Sequence, residues 1–283
     1  MSASNTAAIA DIYNARAADY DAGSNYNHVR QTKYYLSHLT PYLHPGATLL
    51  DLACGTGLLA LPAKSLVGAS GRVVGVDVSS GMLDVARQKS REQRVDVEWY
   101  EHDISDLGAL DLGSTRGRGF DIIACAAALV LLPSPSAAVR NWTRVLKPGG
   151  RVMTDVHVPD SNIAMAVLSA IGPEVGQSLK WDATQFRSQA SLCQVFEEAG
   201  LEVERAWESE VFGSREVDVA DGESMFEQAV QSPMFAEFGK EGVRDRARMA
   251  FVHRLKELGG ADGKVREDTR SWMCICRKPS SAN

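Results

Sequence analysis

Asp51 and the glycines that follow it are the residues whose types and spacing most clearly suggest ligand binding. Asp51 lies in a segment of strand-forming residues, 48–52, that runs into a turn containing Gly55 and Gly57. Glycine lets the backbone approach a ligand where a Cβ would collide. The amides at the start of a following helix add hydrogen-bond donors and the positive end of the helix dipole. The pattern predicts strand, tight turn and helix around a bound ligand.

A second aspartate follows at a position suited to a sugar. Asp77 ends an apolar strand and lies twenty residues after Gly57. A carboxylate at such a strand end can accept hydrogen bonds from both hydroxyls of a ribose. The two aspartates and the glycine turn therefore predict an adenosine-binding site.

The glycines alone leave two cofactor classes open. Gly55-x-Gly57-x-x-Ala60 also fits the dinucleotide fingerprint, in which a pyrophosphate lies on a helix N-terminus. Asp51 stands directly before the turn, where its charge repels a pyrophosphate but suits an ammonium group. A nicotinamide-dependent oxidoreductase is therefore the less favoured alternative.

Three later segments add signals in a fixed order. Asp103-Ile104 follows the third strand-like segment, and 120–123 opens a fourth. Residues 145–151, Val-Leu-Lys-Pro-Gly-Gly-Arg, end a helix and lead into a fifth strand. With this series the chain resembles the class I S-adenosylmethionine (SAM) dependent methyltransferases. The likeness covers roughly residues 10–160 and is strongest to the small-molecule branch that includes ubiquinone and menaquinone methyltransferases.

The resemblance implies contacts to each part of SAM. Asp51 and the glycine turn would hold the methionine portion, and Asp77 the ribose. Met82 would pack on the adenine, and Asp103 would accept a hydrogen bond from its amino group. The full set of implied cofactor residues is Tyr20, Asp51, Ala53, Gly55, Gly57, Asp77, Val78, Met82, Asp103, Ile104, Cys125 and Ala126.

Methyl transfer from SAM needs alignment, exclusion of water and sometimes removal of a proton. His157, after the fifth strand, and His28, in the N-terminal region, are the candidate bases, with a structural role as the alternative for each. The candidate substrate contacts are aromatic, and packing is the alternative for them: Tyr13, Trp181, Phe226 and Phe235.

The segment after the fourth strand carries no acid or base. It is Ala-Ala-Ala-Leu-Val-Leu-Leu-Pro over 126–133, and the Asn-Pro-Pro-Tyr motif of exocyclic-amine methyltransferases is absent. We therefore expect a bulky, largely apolar acceptor with an oxygen, carbon, nitrogen or sulfur nucleophile. The same apolar segment leaves open a SAM-binding protein that transfers no methyl group, either a cyclase or decarboxylase or a regulatory module.

Alternating strand and helix patterns predict an α/β fold of the Rossmann-like methyltransferase type. We expect seven strands, mostly parallel, with a terminal antiparallel hairpin and helical lids. A single domain is expected over 1–283. Its parts are an N-terminal helical lid at 1–46, a core at 47–212 and 268–279, and a helical insertion at 213–267 that covers the substrate.

Charge and cysteine content limit the partners. The 283 residues carry a formal net charge of −6, which disfavours a nucleic-acid substrate. The five scattered cysteines lack metal-ligand spacing and suit a reducing compartment, so no metal and a cytoplasmic location are expected. No leader or membrane span is expected from the sequence, and both monomer and homodimer are open.

Overall fold

The computed structural model describes residues 3–23, 27–110, 112, 119–179, 185–232 and 234–280. Its described strands form two sheets, one of seven strands in the order β3-β2-β1-β4-β5-β9-β6 and one of two strands, β7-β8. The strands are β1 Thr48–Leu52, β2 Arg72–Asp77, β3 Glu98–Glu101, β4 Phe120–Cys125, β5 Leu146–His157, β6 Glu202–Glu208, β7 Gly213–Asp218, β8 Lys264–Thr269 and β9 Ser271–Arg277.

The order of the large sheet reverses at β1, which pairs in parallel with β2 on one side and β4 on the other. The segments that follow β1 and β4 therefore run in opposite directions and leave a crevice beyond the carboxyl ends of the strands. Leu49, Leu50 and Leu52 are completely buried on the two faces of β1. Burial on both faces is typical of a central parallel strand covered by helices.

Helices separate most of the strands. They are α1 Ala3–Arg16, α2 Asn27–Leu39, α3 Ala60–Val67, α4 Ser80–Gln93, α5 Pro135–Trp142, α6 Ile163–Val175, α7 Gln189–Glu197, α8 Gly222–Ala229 and α9 Arg244–Leu258. Helix α4 begins at Ser80, and its cap is Ser79, whose hydroxyl accepts a hydrogen bond from the Met82 amide at 3.1 Å. That cap fixes the start of the helix directly after β2.

The chain divides into two compact units. The first comprises residues 1–156, 188–208 and 272–283, and the second comprises 157–187 and 209–271. In the first unit, α2, α3 and the sheet share a core that includes Tyr35, Leu39 and Leu49. In the second, α6, α8 and α9 share a core of their own that includes Phe226 and Phe251.

The expected Rossmann-like sheet with its terminal antiparallel pair is confirmed. β6 and β9 pair antiparallel from Glu202–Arg277 to Glu208–Trp272. The segment 213–267 differs from the helical insertion expected, because it begins and ends in the β7–β8 hairpin, which pairs Gly213 with Thr269. The helices α8 and α9 lie between those strands. Weak alternation of apolar residues in β7 and β8 concealed this hairpin in the sequence.

Candidate cofactor site

A cleft lies in the first unit at the carboxyl ends of β1, β2 and β4. This is the switch point of the sheet, where open α/β folds bind ligands. The lining residues are Thr6, Ile9, Tyr13, Tyr20, Ala53, Gly55, Asp77, Val78, Met82, Asp103, Ile104, Ala126, Ala127, Ala128, Leu131 and Leu132.

Asp77 lines this cleft with both carboxylate oxygens already ordered by backbone amides. Oδ2 accepts from the Gly55 amide at 2.8 Å and Oδ1 from the Ser79 amide at 2.9 Å. Each oxygen keeps a second lone pair for a ligand hydroxyl. Burial raises the pKa of Asp77, and these amides lower it in part. Asp77 thus fixes the glycine turn and offers acceptors in the cleft.

Asp51 is more deeply buried than Asp77, at 2% exposed. Burial and, to a lesser degree, the neighbouring Asp77 charge raise its pKa to about 8, and the Ala60 amide opposes both effects. Its Oδ2 has no hydrogen-bond partner among the described residues. A buried carboxylate oxygen without a partner is costly when ionised and would be stabilised by a cationic ligand group.

The two glycines of the turn have different structural roles. Gly55 lines the cleft at φ +54°, and a Cβ there would meet no atom within 4 Å. Gly57, at φ +79°, lies against the ring of Trp99, which a Cβ would approach to 2.9 Å. Gly55 therefore leaves space in the cleft, whereas Gly57 makes room for a side chain that packs beneath the turn.

The N-terminal helix is hydrogen-bonded to the side of the cleft formed by β2 and β3. The Thr6 hydroxyl donates to Asp103 Oδ2 at 2.9 Å. Asn14 Oδ1 accepts from the Ser79 hydroxyl at 2.7 Å and from the Gly81 amide at 2.9 Å. These contacts hold α1 over the strand ends, so that three of its residues line the cleft.

Aromatic rings gather at the end of α1. The Tyr20 ring stacks on His28 with centroids 4.5 Å apart and meets Tyr13 edge-on at 6.3 Å. The Arg16 guanidinium lies 5.6 Å from the Tyr13 centroid and 5.7 Å from that of Tyr20. Burial raises the pKa of both tyrosines, so their hydroxyls stay protonated. His28 is thus packed behind Tyr20, which itself lines the cleft.

The opposite wall is the apolar segment after β4. Ala127 has a left-handed φ of 54°, a conformation that costs energy for a residue with a Cβ. Its amide donates to Asp155 Oδ1 at 2.7 Å. The other oxygen, Oδ2, accepts from Gln31 Nε2 of α2 at 2.8 Å. Asp155 is completely buried, and nothing in the sequence pattern singled it out.

Most of the residues predicted to bind the cofactor line one cleft, and a few lie behind it. Asp51, Gly57 and Cys125 are outside the lining set, although Cys125 ends β4 and is completely buried. Six lining residues were not predicted. Thr6 and Ile9 precede the stretch that resembles the family, and the small or aliphatic residues of the wall carry no chemical signal: Ala127, Ala128, Leu131 and Leu132.

The other predicted residues are placed elsewhere. His157 ends β5, with Nδ1 3.3 Å from the Ser271 hydroxyl. Phe226 and Phe235 are buried in the core of the second unit, where Phe226 packs on Phe251 at 5.7 Å between centroids. Trp181 lies outside the described residues. Neither His157 nor His28 is among the residues that line the cleft.

No set of three His, Cys, Asp or Glu side chains among the described residues is arranged to hold a metal ion. None of the helices described is both long and apolar enough for a membrane span.

Residues 49–150 match the family model described as a methyltransferase domain. A ubiquinone biosynthesis O-methyltransferase of Xanthomonas axonopodis is 32% identical over 137 residues, 48% of this chain and 54% of that protein. The ubiquinone/menaquinone biosynthesis C-methyltransferase UbiE of Shewanella frigidimarina is 29% identical over 211 residues, 69% of this chain and 82% of that protein. The match thus spans about half of one relative and most of the other.

Solved structures agree on the fold. The magnesium protoporphyrin IX methyltransferase ChlM of Synechocystis, with bound S-adenosylhomocysteine, has a TM-score of 0.56. It is 18% identical, and the match covers 72% of this chain and 93% of that one. Likeness at this identity shows the fold alone. By this fold, together with the match of residues 49–150 to a methyltransferase domain, the chain resembles the class I SAM-dependent methyltransferases, and among them the ubiquinone and menaquinone enzymes.

Proposed function

We propose that this protein transfers a methyl group from SAM to a small, largely apolar metabolite. The observation that carries the proposal is Asp77, which lines the cleft at the switch point and is ordered by the Gly55 and Ser79 amides. A carboxylate held in this way is ready to accept hydrogen bonds from the two ribose hydroxyls, because it is already oriented and little conformational entropy is lost on binding.

The residues present fit the rest of the cofactor. Asp51 has a buried oxygen without a partner among the described residues, which suits the ammonium group of the methionine portion. Met82 and Ile104 offer apolar surfaces to an adenine ring, and Asp103 offers an acceptor to its amino group. The Asp103 oxygen that Thr6 now contacts keeps a second lone pair for that purpose.

The chemistry asks little of the side chains. SAM supplies an activated methyl group on a sulfonium, and the protein aligns the acceptor and excludes water. The wall of Ala126, Ala127 and Ala128 with Leu131 and Leu132 is apolar. It favours an acceptor that ionises easily or reacts without a base, such as a phenol, an enol-type carbon, an amine or a thiol.

The same wall supports a second candidate function, SAM binding without methyl transfer. Incubation with methyl-labelled SAM and an extract of small metabolites, followed by mass analysis, separates the two. Label in a small molecule supports the transferase, whereas a changed but unlabelled product supports a cyclase or decarboxylase. Calorimetry with SAM, S-adenosylhomocysteine and NAD tests the cofactor itself, and binding of NAD alone would overturn both.

The glycine turn gives a direct test of cofactor placement. Gly55→Val should abolish SAM binding, because the new side chain enters the cleft where the open space now lies. A left-handed φ also strains valine, so some stability should be lost as well. Calorimetry and thermal unfolding measured on the same variant separate the two effects.

Gly200→Val is the matched control for this strain. Gly200 has φ +80° and open space around a Cβ, but it follows α7 and does not line the cleft. Its melting temperature should fall by an amount comparable to that of Gly55→Val, and it should bind SAM as the wild type does. Normal SAM binding by a folded Gly55→Val variant would remove the cofactor from this turn.

We also propose that residues 213–267 form a lid over the acceptor. Support comes from the length of this segment and from the partly buried methionines at its core, Met225 and Met234, which are adaptable pocket-lining residues.

A cytoplasmic location is supported by the free thiols of the chain, which are Cys54, Cys125, Cys193, Cys274 and Cys276.

Phe226 and Met225 test the lid. Phe226→Ala should cost ~3–5 kcal/mol of stability, because its ring is fully buried against Phe251. Met225 is half-buried at the neighbouring position. Met225→Ala should therefore lose less stability than Phe226→Ala, and its turnover of the acceptor should fall further. SAM affinity should stay unchanged in both. Unaltered turnover in every folded variant of the lid would leave the segment a purely structural addition.

A further inference from the structure

Ala127 has an unfavourable backbone conformation that the apolar residues around it do not explain. Its left-handed φ of 54° lies directly after β4, where the wall of the cleft begins. Alanine pays for this conformation and glycine does not, so a group outside the segment must hold it. The Ala127 amide donates to a side chain outside the segment, Asp155 Oδ1, at 2.7 Å.

Asp155 is suited to that task because both of its oxygens are engaged. While Oδ1 accepts from Ala127, Oδ2 accepts from Gln31 Nε2 at 2.8 Å. Asp155 is completely buried near the end of β5, and Gln31 is 6% exposed on α2. Hydrogen bonds to a buried carboxylate are short and strong, and they restrict the orientation of both donors.

We propose that Asp155 is a positioning residue for the cofactor, acting through Ala127, and that Gln31 orients Asp155. This inference rests on the proposed function, since it takes the cleft to hold SAM. The carboxylate fixes the peptide at Ala127 and thereby the wall formed by Ala126 and Ala128 on either side of it. Through Gln31, the position of α2 is linked to the shape of the wall.

The test measures S-adenosylhomocysteine and SAM affinity by calorimetry, with the melting temperature of each variant. Asp155→Ala should weaken binding about tenfold, since the amide that it orders loses a charged acceptor. Asp155→Asn keeps an acceptor for Ala127, and Gln31 can turn its amide to accept from the new NH₂. It should bind within about threefold of the wild type.

A glycine rescue distinguishes positioning from a general loss of packing. In Asp155→Ala/Ala127→Gly, glycine adopts the left-handed conformation without help, so most of the lost affinity should return. Val156→Ala is the control, because Val156 is also completely buried at the next position of β5 but bears no polar group. It should lower the melting temperature and leave affinity unchanged.

Each outcome decides something. If the wild type binds neither ligand, the proposed function fails. If the wild type binds and Asp155→Ala binds equally well, or if Ala127→Gly restores nothing, only the positioning role is overturned. Should Asp155→Ala fail to fold, Gln31→Leu takes its place. That variant should show a smaller loss that Ala127→Gly also restores, and an unchanged affinity would equally overturn the role.

Discussion

Asp77→Ala should lower the affinity for SAM by at least about a hundredfold, since two charge-assisted hydrogen bonds to the ribose are each worth ~1.5–3 kcal/mol. The loss has a second source in the protein itself. The Gly55 and Ser79 amides, which now donate to the carboxylate, would lose their acceptor. The turn would then be ordered less well before the cofactor arrives. Calorimetry with SAM measures the combined effect.

Asp121→Ala is the matched control for Asp77→Ala. Asp121 lies near the start of β4 and is held in a similar way, because its Oδ2 accepts from the Thr48 amide and hydroxyl, both at 2.8 Å. It also pairs with Lys147 at 2.7 Å. Its removal should destabilise the fold and spare SAM binding. Equal SAM affinity in the Asp77→Ala protein and the wild type would remove Asp77 from the cofactor site.

Local sequence was sufficient for the parts of the site that lie on strands of the large sheet. Strand, turn and helix each carry a period or a residue type that is visible locally. Asp51, Gly55 and Asp77 follow directly from that pattern, because a parallel sheet brings the carboxyl ends of its strands together. The order of β1, β2 and β4 then brings Gly55 and Asp77 to one cleft, with Asp51 buried outside its lining.

The contacts that the sequence did not predict are long-range or apolar. Thr6 reaches Asp103 across 97 residues, and Gln31 reaches Asp155 across 124. No local pattern encodes such pairs, because they depend on how helices settle on the finished sheet. For Phe226 the local pattern was visible, but it did not distinguish between two roles. A Met-Phe cluster suits a pocket and a core equally, and only its complete burial in the second unit indicates packing.

Asp51→Asn should stabilise the protein without ligand while weakening its affinity for SAM. Burial and the neighbouring Asp77 raise the pKa of Asp51 from its ordinary value of 3.8 to about 8. Between these values the unfolded chain has released the proton and the folded chain has kept it. Stability conferred by this group is therefore complete below pH 3.8 and is lost progressively as the pH rises to 8.

Asparagine has the shape of the protonated acid and does not titrate. At pH 5 the variant should therefore be only slightly more stable than the wild type, because little more than one pH unit of this window has been crossed. Between pH 5 and pH 8 this advantage of the variant should grow by up to ~4 kcal/mol, since each pH unit over this window contributes about 1.4 kcal/mol. The measurement is the difference in melting temperature at the two pH values. An equal difference at pH 5 and pH 8 would contradict the raised pKa.

Cofactor binding should follow the opposite trend with pH. The ammonium group of SAM favours the ionised form of Asp51, so binding releases a proton from the wild type below pH 8. Wild-type affinity should rise with pH between 6 and 8, by at most about tenfold per unit. The affinity of Asp51→Asn should be lower and nearly independent of pH. Calorimetry in two buffers of different ionisation enthalpy counts the released proton, and a wild type that releases none would place the ammonium group elsewhere. A buried carboxylate destabilises the protein without ligand when it is ionised. Binding of a cation recovers that free energy, so such a carboxylate is expected where a cationic group completes the site.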